Sequence, residues 1–160
     1  MQYFSKFILP KIEAPWRLWL ILFGMALFGP GCIDENAHIE MSGLNYMGRG
    51  VDSFSADGYG GGALYANQGG GGFVCCVTIP RRWRPGMKVT VRWTENQNDP
   101  QAWKQKLVTI PEYETHNIGY LAVHFYPAGN VKVAVTNILV GHPNYPYPRP
   151  MPARVRMVES

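Results

Sequence analysis

Residues 69–93, GGGGFVCCVTIPRRWRPGMKVTVRW, decide how the rest of the chain is read. Four glycines run into a strand-like segment, Phe73–Ile79, with adjacent cysteines at its centre. Pro80 and then Pro85-Gly86 mark a turn. Met87–Trp93 follows, with Met87, Val89, Val91 and Trp93 alternating against Lys88, Thr90 and Arg92. That period of two belongs to a strand with one buried and one wet face. Arg81-Arg82-Trp83-Arg84 lies between the two segments. The stretch therefore predicts two strands joined by a rigid loop that carries three cations and an indole.

The same grammar recurs on both sides. His38–Tyr46 alternates loosely and predicts a first strand, which Val51–Phe54 continues after Gly48-Arg49-Gly50. Ser55–Gly72 holds two glycine clusters and reads as a flexible loop. A phosphate cradle is disfavoured there, because no P-loop lysine follows and the glycines open a strand pattern rather than a helix. Asn98-Asp99-Pro100 signals a turn, and Lys106–Ile110 a strand. Pro111–Asn117 leaves room for one helical turn. Ile118–Tyr126 and Val131–Ile138 flank the turn Pro127–Asn130 and predict a hairpin. The tail HPNYPYPRPMP (142–152) has a proline at nearly every second position. It cannot pair along a ladder and is expected to lie extended over the surface. Val155–Val158 reads as a short edge strand or a loose end.

The 160 residues suffice for one domain with a real core. The 18 glycines and 13 prolines favour many turns and short strands over long helices. The expected fold is all-β: a single antiparallel β-sandwich or barrel-like domain after an N-terminal signal segment. The formal net charge is +4, but three cations and one anion precede Cys32, so the remainder carries only +2. That is too mild to argue for nucleic acid as a partner.

Lys6, Lys11 and Arg17 lead into the apolar run Leu18–Phe28. The run is too short for a bilayer span of about 20 residues and suits the core of a signal peptide. Gly31-Cys32 after it resembles a bacterial lipobox, in which the cysteine is lipidated and becomes the new N-terminus. Gly29 stands where leucine is usual, and Pro30 is atypical. A plain signal peptide or an uncleaved signal anchor is the alternative. The expected organisation is a signal peptide over 1–31, a tether over 32–37 and one β domain with its proline-rich tail over 38–160. Ile33 in place of aspartate after the cysteine favours an outer-membrane, periplasm-facing address.

If Cys32 carries lipid, Cys75 and Cys76 remain as an even pair in an oxidising compartment. Neighbours on a regular strand point to opposite faces, so a ring between them needs a locally distorted backbone. Two reduced thiols, one buried and one packed outward, is the other arrangement. His38, His116, His124 and His142 show no zinc-like spacing with one another or with cysteine, so no metal or cofactor is expected. His124 fits a satisfied or half-exposed strand residue. Asp52 and Asp57 flank the glycine-rich loop without a visible convergent partner, and no G-x-S-x-G elbow exists. No catalytic residues are assigned, and the protein is not expected to be an enzyme. The corner Arg81–Arg84 is either a contact patch or a solvated turn with Trp83 folded onto the core.

The segments GLNYMGRGVDSF (43–54), GGGGFVCCVTIP (69–80), RWRPGMKVTVRW (82–93), LAVHFYPAGNVKV (121–133) and GHPNYP (141–146) together resemble a family of short bacterial lipoproteins. The family is known as domain-of-unknown-function family 3304. Its members often lie beside type VI secretion genes, especially those of antibacterial phospholipase effectors. The resemblance implies an immunity lipoprotein that blocks an incoming phospholipase in the periplasm, and it carries no catalytic residues. An inhibitor needs a rigid scaffold and a protruding anchor, and interface hot spots favour Trp, Tyr and Arg. Tyr59, Arg81, Arg82, Trp83 and Arg84 supply those types. An envelope-associated structural or binding lipoprotein without a toxin partner is the alternative.

The N-terminal reading is checked by the mass of the membrane-extracted protein. A chain starting at a lipidated Cys32 is expected, with Cys32→Ser shifting it from the membrane fraction. A variant that fractionates like wild type would refute lipidation.

Overall fold

The structure, a computed structural model, describes residues 34–69 and 72–151. The readings of Leu18–Phe28, Cys32 and Val155–Val158 lie outside the described residues. The chain divides after Asp34, and the fold below belongs to the unit Glu35–Ser160.

Strand β1 (Asn36–Asn45) is the spine of the first sheet. It starts two residues before His38, so Asn36 and Ala37 belong to the strand rather than to a tether. Its odd-numbered residues Ala37, Ile39 and Met41 are buried in the core, whereas His38 and Glu40 are exposed. Beside it lie β4 (Val74–Pro80) on one side and β7 (Tyr120–Tyr126) on the other, with β8 (Asn130–Thr136) beyond β7. The second sheet runs β3 (Tyr59–Gly61), β2 (Ser53–Ala56), β5 (Lys88–Thr94), β6 (Lys104–Thr109). These are two packed four-stranded sheets, a sandwich and not a closed barrel. All pairings are antiparallel except β1 with β7, which run parallel from Glu40↔Tyr120 to Asn45↔Phe125. The described residues contain no α-helix, only short 3-10 turns such as Pro100–Ala102 and Thr115–Asn117.

The two sheets meet through alternate residues. Val89, Val91 and Trp93 of β5 face Leu121, Val123 and Phe125 of β7 and Val131, Val133 and Val135 of β8 within one cluster. Phe125 sits at its centre, with ring centroids 5.3 Å from Phe54 and 5.8 Å from Trp93. The predicted hairpin β7–β8 forms with Tyr126 opposite Asn130, and its turn places Ala128 and Gly129 at positive φ.

Two expectations change, and one is made specific. Strands β4 and β5, continuous in the deciding stretch, lie in different sheets, so the loop between them is an arch over the end of the sandwich. The loop Ser55–Gly72 is partly ordered as a hairpin: β2 and β3 pair across Asp57-Gly58, which adopt φ of 48° and 86°. Positive φ at both central residues is what an Asp-Gly turn supplies between two strands. Val51–Phe54 does not continue β1. Val51 instead makes an isolated bridge with Leu64, and β2 starts at Ser53.

The pairing of β1 with β4 contains a bulge. Ile39 faces Val77 and Met41 faces Val74, so Cys75 and Cys76 together oppose Glu40. A bulge sets two residues against one and shifts the inward phase of the strand. Val77 and Ile79 face the core on one side of it, and Val74 packs against the same core on the other. Cys75 and Cys76 are joined to each other by a disulfide. Thiol labelling of the denatured, unreduced domain is expected to find neither of these cysteines reactive. Labelling of both would establish the reduced pair instead.

Candidate functional site

The corner 81–86 is built from the backbone outward. Tyr113 donates its hydroxyl to the Pro80 carbonyl at 2.6 Å, and Thr115 donates to the Arg81 carbonyl at 3.0 Å. The Arg81 amide donates to the Glu35 carbonyl at 2.7 Å. Gly86, at φ 85°, completes the turn that returns Met87 to the Arg84 carbonyl. The arch is thus tied both to the entry of β1 and to the segment following β6.

Trp83 is part of this framework and is not displayed. Its indole Nε1 donates to the Ile110 carbonyl at 3.0 Å, and its ring, half-buried, packs against the core. The sequence alternative with Trp83 folded onto the core is the one found. A buried indole N–H needs an acceptor, and Ile110, at the end of the strand opposite Met87, provides it. Arg81, Arg82 and Arg84 stay exposed. Arg84 reaches Glu35 at 3.7 Å, with both side chains largely in water, so the pair contributes little. Tyr59 follows the hairpin turn and is 43% exposed. A groove of about 260 Å³ has Asp57 on one wall and Pro80, Met87 and Lys88 on others, which sets that hairpin turn beside the base of the arch.

The acidic and imidazole groups considered for chemistry are engaged elsewhere. Asp57 Oδ1 accepts the Thr90 amide at 2.7 Å, and Asp52 Oδ2 accepts the Gln97 amide at 3.3 Å. His124 is fully buried on the outer face of β7, under the tail. Tyr145 and Tyr147 cover it, and Tyr46 pins the tail by donating to the Pro148 carbonyl at 2.7 Å. The tail lies over the sheet as expected, but turns at Leu139–His142 and His142–Tyr145 interrupt its extension.

Hydrogen bonds hold the imidazole in place. Tyr120 donates to the Ile138 carbonyl at 2.9 Å, and His124 Nε2 and the Tyr145 hydroxyl share a hydrogen bond of 2.7 Å. Nδ1 has no protein partner among the described residues. Burial, and secondarily the Lys132 ammonium, pushes the His124 pKa down to about 3. Burial likewise raises Tyr46 and Tyr145 well above the usual phenol value. Sequence reading missed this cluster, although Tyr145 and Tyr147 at alternate positions of the tail were a visible signal. Among the described residues no group of three or more His, Cys, Asp or Glu could hold a metal.

The model of one protein family, described as "Protein of unknown function (DUF3304)", matches residues 44–133. The chain belongs to the DUF3304 family. No curated protein and no solved structure gives a significant match. The DUF3304 match runs from the end of β1 into β8 and takes in the arch, the bulge and the β7–β8 hairpin, while the tyrosine-bearing tail lies beyond it.

His124 makes stability depend on pH. Its folded pKa lies below its unfolded value near 6.5, so the unfolded chain binds the extra proton between pH 6.5 and about 3. The contribution is complete above the unfolded value and is lost as pH falls through that window, by up to about 1.4 kcal/mol per unit. Urea titrations at neutral pH and at about pH 5 should show a smaller loss in His124→Gln than in wild type. Tyr145→Phe should cost about 1–3 kcal/mol, because it removes the hydrogen-bond partner of the buried Nε2.

Proposed function

We propose that this domain is a periplasm-facing, lipid-anchored binding protein that neutralises a type VI secretion phospholipase effector. The observation that carries the reading is the arch: exposed arginines on a backbone tied down from several sides. Such a corner enters a complex with little ordering cost, and arginine is enriched among interface residues that dominate binding energy. The DUF3304 membership supports the reading through the gene neighbourhood that the family resemblance implies. Inhibition by occlusion asks for no catalytic group, which suits acids and an imidazole that are committed to backbone caps and a sealed tail.

The roles within the corner divide. Arg81, Arg82 and Arg84 form the contact surface, and the exposed Tyr59 of the β2–β3 hairpin is a further candidate contact. Trp83 holds the arch in shape from inside and is not itself the protruding anchor.

Binding of the phospholipase encoded next to this gene tests the reading. Arg82→Ala with Arg84→Ala should weaken binding by about thirtyfold, equivalent to about 2 kcal/mol, and leave the melting curve unchanged. Trp83→Ala should lower stability by about 3 kcal/mol instead. Wild-type affinity in a normally melting arginine variant would remove the corner from the interface. No binding of the wild-type domain to the neighbouring phospholipase would remove the immunity role and favour an envelope-structural one.

A further inference from the structure

The side of the sandwich between β1 and the segment Gly62–Leu64 contains a cavity of about 350 Å³. Its inner wall is Met41, Phe54, Leu64 and Val74. Met41 and Phe54 are only 1% exposed, so the cavity reaches the core. Four glycines, Gly43, Gly62, Gly69 and Gly72, stand on its lining. Gly43 and Gly61 each present bare Cα atoms to the Phe54 ring, where a Cβ would collide. Gly62, also on the lining, has nothing within 4 Å of where its Cβ would stand. Tyr65, 79% exposed, and Gln68 contribute to the lining, and no charged residue among the described residues does.

The geometry points to a binding site for the hydrocarbon chain of a neutral amphiphile. The volume lies at the lower end of ligand pockets. An apolar cavity of about 150 Å³ takes benzene, so this one holds a chain of roughly ten carbons. A thin, flexible chain fits a slot whose walls are glycine backbone and core side chains. Tyr65 and Gln68 are the polar residues beside it, suited to an alcohol or ester head. A carboxylate head would meet no cation among the described lining residues. The site stands apart from the proposed immunity role, since no residue of the 81–86 corner lines it.

Calorimetric titration of the domain with hexanol, octanol and decanol, each below its solubility limit, tests the inference. Saturable one-to-one binding is expected, about fourfold tighter per added methylene, with decanol binding more tightly than decanoate. Gly62→Leu and Ala63→Trp, each placing a side chain on the lining, should abolish binding while the fold is retained. Two variants guard against one failing to fold, and the chain-length series decides the matter if both do. Displacement of decanol by a monoacylglycerol, by a lysophospholipid, or by both supports the site and identifies the lipid source. Absence of saturable binding, affinity independent of chain length, preference for decanoate, or unchanged affinity in a folded variant would each overturn the inference.

Discussion

The structure depends on one extra residue being absorbed opposite Glu40. Strand β4 carries core-facing side chains at 74, 77 and 79, a spacing that a regular strand cannot direct to one face. Without the bulge, Val74 would turn outward whenever Val77 turned inward. With it, Cys75 and Cys76 share the place of one residue, and both flanking segments serve the same core. Because β1 is paired with β4 on one side and β7 on the other, this phase is shared by the first sheet. The ring formed by the two cysteines lies at this bulge.

The corner and the tail illustrate two ways of using polar groups at the margins of a small core. In the corner, the Pro80 and Arg81 carbonyls receive donors from Tyr113 and Thr115, and Trp83 of the arch donates in turn to the Ile110 carbonyl. Polarity there fixes shape, while Arg81, Arg82 and Arg84 remain on the exposed side. Under the tail, an imidazole is enclosed by tyrosines that cover an otherwise bare sheet face. Polarity there joins an irregular segment to a regular one, where prolines rule out a ladder.

Legibility in the sequence followed how local the determining physics is. β5 and the β7–β8 hairpin could be read because alternation and turn residues sit within a few positions of each other. β3 could not, because Tyr59–Gly61 has too few side chains to alternate, although Asp57-Gly58 carried the turn signal. The passage of the chain from one sheet to the other at Arg81–Met87 has no local signature, since a turn reads alike whether it joins paired or facing strands. The fate of Trp83 depended on a carbonyl at Ile110, which only the assembled sandwich brings near. The sealing of His124 likewise required knowing that the tail crosses β7 and not another strand.

The parallel pairing of β1 with β7 has a consequence for the order of folding. The first strand of the sheet finds its second neighbour far along the chain, and β8 and the covering tail come later still. A nascent chain with only its first half available has β4 but neither the parallel partner β7 nor the valines of β8 that complete the core. Contacts between distant segments slow folding because a large loop must close before they form. The complete sandwich therefore cannot form until β7 and β8 have both been made.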